Sequence, residues 1–319
     1  MRGRNEGEGR VVAACWARLL GSALVTYQDP LAYLIGLEGM ALLDSWAGRH
    51  DRAFVEARLA EVRRLLDDKQ LQGAGVDVET VSADVSYRQQ ASGYDAGGGG
   101  GLFALDEPII TQWVEGRKAA DALDAACGTG RFAGLLAARG HAVVGVDGSP
   151  DMLERARLRV PHADFQLGSL DALPVADASA DIVTCGLALV HVAELAPVFA
   201  EFARVMRPGG DLLISDIHPE LTRLGSGIKG LGPNGERHLA PTFLHPLGSY
   251  LRAALDAGFE VRGCEEPGAT WGGPVADATS APGEWVDWPW SLMAYAPEVT
   301  RAVSDRPDLV LWHFRKPAA

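Results

Sequence analysis

The sequence predicts an α/β fold, a mostly parallel sheet with helices on both faces, preceded by a helical annex. Two observations carry that expectation. After residue 121, short apolar runs alternate with amphipathic segments, the pattern in which helical crossovers return each strand parallel to the last. The first of these runs, Ala122–Ala126, leads into the glycine turn Gly128-Thr129-Gly130, and the amphipathic Arg131–Ala138 follows at once. Strand, glycine loop and helix in that order present backbone N–H groups to a ligand, with no Cβ at the glycines to hold it away. A second apolar run, Ala142–Val146, ends beside Asp147, about where a Rossmann-like unit keeps the acid that binds a ribose.

Composition narrows the function classes. A chain of 319 residues with 47% hydrophobic residues has enough apolar surface for a full α/β domain and a smaller annex. A formal charge of -13 argues against nucleic acid or an anionic membrane as partner, since either would need clustered Lys and Arg. The apolar stretch Val11–Val25 is interrupted by Arg18 and is shorter than a membrane span. Arg2 and Arg4 precede it, but Glu6 and Glu8 intervene and no small-residue cleavage site follows, so a cytoplasmic location is expected. Cys15, Cys127, Cys185 and Cys264 lie far apart, with no pair at metal or redox spacing, and read as reduced thiols.

Taken in order, Met1–Arg10 is rich in Gly and charge and reads as disordered. From Val11 to about Asp68 the pattern is helical, most clearly over His50–Asp68, where Phe54, Leu59, Val62 and Leu66 recur at about helical spacing. Residues 1–80 are therefore expected as a helical region that packs on the main domain or joins two copies in a homodimer. A further helical piece, Val85–Tyr94, places Tyr87 and Tyr94 on one face. The glycine run Gly97–Gly101 behind it is either a hinge for a lid or a slack linker. Strands are expected at Ala122–Ala126, Ala142–Val146, Ala163–Leu167, Asp181–Cys185, Asp211–Asp216, Phe259–Cys264 and Leu309–Phe314, seven in all. Helices are expected at Ser149–Arg159, Leu195–Met206 and Gly248–Ala257, the second stopped by Pro208-Gly209-Gly210. Residues 81–319 then form one domain, with a Gly/Pro-rich cap insertion at about 217–248.

Five segments in a fixed order carry a family resemblance. Asp124-Ala-Ala-Cys-Gly-Thr-Gly130, Val146-Asp-Gly-Ser-Pro-Asp-Met-Leu153, Leu173-Pro174, Asp181-Ile-Val183 and Val205-Met-Arg-Pro-Gly-Gly210 resemble class I S-adenosylmethionine (SAM) dependent methyltransferases. The closest likeness is to the small-molecule branch related to the ubiquinone-biosynthesis enzymes, and it runs from about Val85 onward. The resemblance implies SAM as cofactor and assigns its contacts. Gly128 and Gly130, with Ala126 and Cys127, would pass beside the methionine portion, and Asp124 would reach its ammonium. Asp147 would accept both ribose hydroxyls, next to Gly148, and Met152 would pack on the adenine. Gly168-Ser169-Leu170 stands where the family usually carries an acid for the adenine amino group, so Ser169 or Asp171 would serve there, alongside Leu170. Cys185, Gly186 and Leu187 would offer backbone groups to the ammonium, and His191 reads as a structural or cofactor-edge residue. Tyr87 and Tyr94 match a helix that closes over the methionine end, with Arg88 as a partner for the SAM carboxylate.

Methyl transfer from a sulfonium is an in-line displacement that often requires a base. His218, at the end of the fifth strand, is the expected base, with His245 as orienter or second base. His218, His238, His245 and Asp216 are metal-ligand types, but their spacing has no tight helical pair, and no metal is expected. Trp271, Trp285, Trp288, Trp290 and Tyr295 read either as a packed connection or as an apolar wall for a small-molecule acceptor. Gly128-x-Gly130-x-x-Ala133 also satisfies a dinucleotide fingerprint, which keeps an NAD-dependent dehydrogenase open beside an enzyme that uses SAM without methylating.

Overall fold

The computed structural model describes residues 25–90, 101–240, 242–268 and 279–318, with only the backbone given at 84 and 88–90. The expected disorder of Met1–Arg10, the apolar stretch before Val25, Tyr94, most of the glycine run and Trp271 lie outside the described residues. The strands are β1 Val25–Gln28, β2 Val76–Thr80, β3 Asp121–Ala125, β4 Ala142–Asp147, β5 Asp164–Leu167, β6 Ala180–Gly186, β7 Met206–Ile217, β8 Ile228–Leu231, β9 Arg237–Ala240, β10 Glu260–Glu265 and β11 Leu309–Arg315. The α-helices are α1 Pro30–Trp46, α2 Arg52–Leu66, α3 Ala83–Gln90, α4 Phe103–Val114, α5 Arg131–Ala137, α6 Pro150–Arg159, α7 Leu195–Val205, α8 Pro219–Arg223, α9 Leu247–Asp256, α10 Trp290–Tyr295 and α11 Pro297–Ala302.

The described residues form two compact units, one of residues 83–90, 101–224, 242–268 and 307–318, the other of residues 25–82, 225–240 and 279–306. In the first, a seven-stranded sheet runs β10-β11-β7-β6-β3-β4-β5. The neighbours from β7 through β5 are parallel, while β11 is antiparallel to both β7 and β10. This is the mostly parallel sheet expected from the sequence. The chain leaves β5 at one edge and returns at β6 beside β3, which makes a topological switch point between β3 and β6, where open α/β sheets hold ligands. Strand β7 starts five residues ahead of its expected beginning, because Met206 already pairs with Ala180 before a register shift.

Each face of the sheet is covered by helices whose apolar stripes match it. On one side Phe199 and Phe202 of α7 and Tyr250 of α9 pack with Leu123, Val183, Ile214 and Phe314 of the strands. On the other, Ile110 of α4, Phe132 and Leu136 of α5 and Leu153 of α6 pack with Val143, Leu213 and Leu311. Local chemistry sets the helix starts. Helix α6 begins at Ser149, whose Oγ accepts the Met152 N–H at 3.4 Å, with Pro150 in the first turn. Helix α5 follows Gly130 at φ 81°, a left-handed conformation that costs glycine little, and a Cβ there would stand 3.2 Å from the Ala156 methyl.

The second unit corrects the expected domain boundaries. Its first stretch ends at residue 82, close to the expected 80, but it is not wholly helical. β1 and β2 pair antiparallel, β9 adds parallel to β2, and β8 closes a four-stranded sheet of order β1-β2-β9-β8. Residues 225–241, expected as part of a cap insertion, therefore belong to this unit, as do residues 279–306. Within it, Trp285 and Trp288 bury Lys229, whose Nζ lies 4.9 and 5.8 Å from the two ring centroids and donates to the Trp285 carbonyl at 3.2 Å. These two tryptophans are packed core. Glu38 of α1 and Arg58 of α2 form a buried ion pair at 3.1 Å.

At Gly186, the last residue of β6, a Cβ would stand 2.5 Å from the Phe132 ring. Gly186→Ala is expected to lower stability by about 1–3 kcal/mol through overpacking, read as a fall in the urea midpoint with an unchanged slope.

Candidate functional site

A cavity of about 550 Å³ opens beside the switch point, lined from the C-terminal ends of β3, β4 and β6 and the segments that follow them. Its size is that of a small-molecule or cofactor pocket. Two of its lining residues, Ala126 after β3 and Leu187 after β6, take positive φ of 55° and 56° although neither is glycine. Strain of this kind costs of order 1–3 kcal/mol per residue and persists where the surrounding structure enforces a turn. At Leu187 the enforcement is visible, since its N–H donates to the Ser215 carbonyl at 2.7 Å.

The two strand-end acids are fixed by backbone donors. Asp147 accepts the Gly128 N–H at 2.8 Å with one oxygen and the Ser149 N–H at 2.8 Å with the other. The carboxylate thereby ties the end of β4 to the glycine turn after β3. Asp124 is buried, accepting the Ala133 N–H from α5 and the Thr184 hydroxyl from β6, both at 2.8 Å. Burial pushes its carboxyl up to about 7, against the opposing pull of those hydrogen bonds and of Arg131. Arg131, also in the wall, is held in a two-point ion pair by buried Asp106 of α4 at 2.7 and 2.8 Å and lies against the Phe103 and Phe132 rings. Ser215 of β7 donates to the same Asp106 at 2.8 Å.

Of the residues expected to hold the cofactor, Tyr87, Asp124, Ala126, Cys127, Gly128, Asp147, Gly148, Met152, Ser169, Leu170 and Gly186 all line this cavity. Ser169 donates to Asp171 at 2.6 Å, so both residues considered for the adenine edge stand together in the wall. Gly130 does not line it but makes the bend that starts α5. Cys185 is not among the lining residues, and its side chain is fully buried among the apolar side chains of one sheet face. The Arg88 side chain and Tyr94 lie outside what the structure describes.

The two expected catalytic histidines do not reach the cavity lining. His218 caps α8: its Nδ1 accepts the Glu220 N–H at 3.1 Å, and its Nε2 is 2.9 Å from Glu266. A ring whose Nδ1 accepts carries its proton on Nε2, so both nitrogens are committed. His245 donates from Nε2 to the Val192 carbonyl at 2.7 Å, and burial lowers its pKa below the usual imidazole value. His238 belongs to the other unit, on β9. Among the described residues, no group of three or more His, Cys, Asp and Glu is placed to hold a metal.

Sequence reasoning undervalued the segment after β6. Leu187, Ala188, His191, Val192, Ala193 and Glu194 all line the cavity, with His191 ending a short 3-10 turn, Leu189–His191. The His191 Nε2 is 3.0 Å from the Tyr87 hydroxyl of α3, and the two rings meet edge to face with centroids 5.5 Å apart. The position of this segment at a strand's C-terminal end, next to the crossover, was the signal for it.

Residues 123–214 match a family model described as a methyltransferase domain. That span of the chain includes most of β3, β4 to β6, most of β7, the glycine turn, Asp124, Asp147 and the 187–194 segment. A 37.1 kDa transposon-encoded protein of Streptomyces fradiae, itself uncharacterised, is 34% identical over 192 residues, covering 57% of this chain and 53% of that protein. A malonyl-[acyl-carrier protein] O-methyltransferase of Serratia marcescens is 37% identical over 118 residues, 37% of this chain and 46% of its own. A demethylmenaquinone methyltransferase of Chlorobaculum parvum is 39% identical over 111 residues, 34% of this chain and 45% of its own. The chain thus spans about half the length of the curated relatives it matches. Among solved structures, a chain from the complex of the Haloferax volcanii Trm112 methyltransferase activator with a methyltransferase gives a TM-score of 0.57, covering 75% of this chain and 99% of that one. At 19% identity this likeness concerns the fold alone.

Two outcomes follow from the fixed acids. Asp147→Ala is expected to weaken S-adenosylhomocysteine binding in calorimetry by about 10- to 100-fold, the size of a lost charge-assisted hydrogen bond of roughly 1.5–3 kcal/mol. Asp124 has the opposite leverage on stability. Its folded-state pKa lies above that of an unfolded aspartate, so the folded protein retains a proton that the unfolded chain loses, and stability falls as pH rises from about 4 to about 7. Asp124→Asn should reduce that fall in urea unfolding series across the same pH range.

Proposed function

We propose that this chain transfers a methyl group from SAM to an oxygen of a small-molecule acceptor, with the donor held in the cavity beside the switch point. The observation that supports SAM over a dinucleotide is the charge of the wall. Asp124, Asp147, Asp171 and Glu194 all line it, while the one arginine among the described lining residues, Arg131, is neutralised by buried Asp106. Such a lining favours a cationic ligand and opposes a pyrophosphate. SAM, when bound, supplies a methyl group on a positively charged sulfur.

The chain's own residues divide the work. Asp147, its plane fixed by two backbone N–H groups, takes the ribose hydroxyls, since a carboxylate has about four acceptor positions. Met152 and Leu170 flank the adenine, with Ser169 and Asp171 at its edge. A Cβ at Gly128 would meet nothing within 4 Å, so glycine leaves that space to the methionine portion. Asp124 faces the ammonium. The base is reassigned from His218 to the Tyr87–His191 pair, because this pair stands in the cavity wall. As the acceptor hydroxyl gives its proton to the Tyr87 oxygen, Tyr87 passes its own proton to the His191 Nε2, 3.0 Å away.

The quinone-related branch suggested by the sequence is supported by the likeness to a demethylmenaquinone methyltransferase over 34% of this chain. Self-association through the helices of the second unit is part of the same proposal, supported by Leu43 and Trp46 of α1, which are 70% and 91% exposed. No helix among the described residues is long and apolar enough to cross a membrane.

Calorimetry with SAM, S-adenosylhomocysteine and NAD tests the donor. The first two are expected to bind and NAD to fail; NAD binding without SAM binding would overturn the reading. A cation brought beside Asp124 favours its charged form, so S-adenosylhomocysteine binding should release protons and weaken as pH falls below about 7. Titrations in buffers of different ionisation enthalpy measure the release, which Asp124→Asn should abolish. With an acceptor found by screening small phenols and enols against methyl-labelled SAM, His191→Ala should lower kcat by about 10²–10⁴-fold. Its S-adenosylhomocysteine affinity should stay within about threefold, at the low end of what one hydrogen bond contributes.

A further inference from the structure

The turn that carries His191 is fastened by side chains that do not line the cavity. Asp216 of β7, fully buried, accepts the Val190 N–H at 3.2 Å with one oxygen and the Tyr250 hydroxyl at 2.5 Å with the other. Tyr250 of α9 is itself buried, with its ring against those of Trp312 and His245. The His245 Nε2 donates to the Val192 carbonyl at 2.7 Å, and the Phe243 N–H donates to the Val190 carbonyl at 2.7 Å. Both polar groups of Val190 and the carbonyl of Val192 are therefore held by elements outside the turn, and His191 is the residue between them. A 3-10 turn of three residues has few hydrogen bonds of its own to define it.

We propose that Asp216, Tyr250 and His245 are positioning residues that act together as a clamp, setting the direction of the His191 ring toward Tyr87. This rests on the reading of Tyr87–His191 as the proton-accepting pair. It gives work to three groups that methyl transfer itself does not use, and it explains why an aspartate stands in the apolar interior. Burial raises the Asp216 carboxyl to about 7, a cost that an apolar residue at this site would not carry. A carboxylate here accepts a backbone N–H and a phenol at once, which no apolar side chain can do. The buried polar network specifies one arrangement of the turn.

The test reads the His191 imidazole by NMR in the full chain, which has eight histidines to assign. His245→Phe keeps a ring but removes the N–H donor; His245→Gln restores a donor; Tyr250→Phe removes one hydroxyl from Asp216. The expected result is a change in the His191 pKa of about half a unit or more in His245→Phe and in Tyr250→Phe, about 0.7 kcal/mol of differential interaction. His245→Gln should return it to within about 0.2 of the parent value, because the amide donor replaces the imidazole one. A His191 pKa unchanged in either phenylalanine variant would overturn the clamp, as would a glutamine variant as perturbed as His245→Phe. If His245→Phe does not fold, Tyr250→Phe alone decides the question by the same criterion. S-adenosylhomocysteine affinity, measured on the parent chain, separates the two claims: a chain that fails to bind it refutes the donor reading, whereas the NMR result judges the clamp.

Discussion

The hydrogen bond from the Gly128 N–H to Asp147 is the contact on which the site depends. It joins the turn after β3 to the end of β4, two neighbouring parallel strands that would otherwise present independent loops. The same carboxylate holds the Ser149 N–H and so sets the first turn of α6, which brings Met152 to the cavity. A second acid does the equivalent work on the other side of β3, where Asp124 links α5 to Thr184 of β6. Between them the two carboxylates tie β3, β4, β6 and the starts of two helices to one cavity. Groups held this firmly lose little freedom when a ligand arrives, which is the structural content of preorganisation.

The electrostatics of this arrangement are uneven. Asp147 is only partly buried and is held by two N–H groups, whereas Asp124 is enclosed and its carboxyl is pushed to about 7. A wall whose described residues include four acids and one already paired arginine has most to gain from a ligand that brings positive charge. The strain at Ala126 and Leu187 belongs to the same economy, since both residues bend the chain sharply at strand ends to expose backbone at the cavity.

Much of the first unit was legible in the sequence, because its signals are local. Apolar runs at strand length, the Gly128–Gly130 turn, Asp147 at a strand end and the Ser149-Pro150 helix start can each be read from a few adjacent residues. Long-range assembly was not legible. The second unit draws on three separated stretches, and β8 and β9 join β2 across more than a hundred residues, which no periodicity reports. The Cys185 side chain lies in the core, while its neighbour Gly186 lines the cavity. His218 was misread for a different reason. The sequence His218-Pro219-Glu220 is a helix start with proline in the first turn, and the imidazole fills the capping position usually taken by Ser, Thr, Asp or Asn. His191, by contrast, owes its place to the crossover after β6 and to the partners that hold its turn, none of them near it in sequence.

The central claim is that the cavity at the ends of β3, β4 and β6 holds SAM with its ribose on Asp147 and its sulfur toward the Tyr87–His191 side. A crystal structure of the full chain with S-adenosylhomocysteine tests it most directly. The account predicts both ribose hydroxyls within hydrogen-bonding distance of Asp147 and the sulfur facing His191. Ligand density on another part of the molecule, or a ribose that leaves Asp147 bonded to backbone alone, would contradict it.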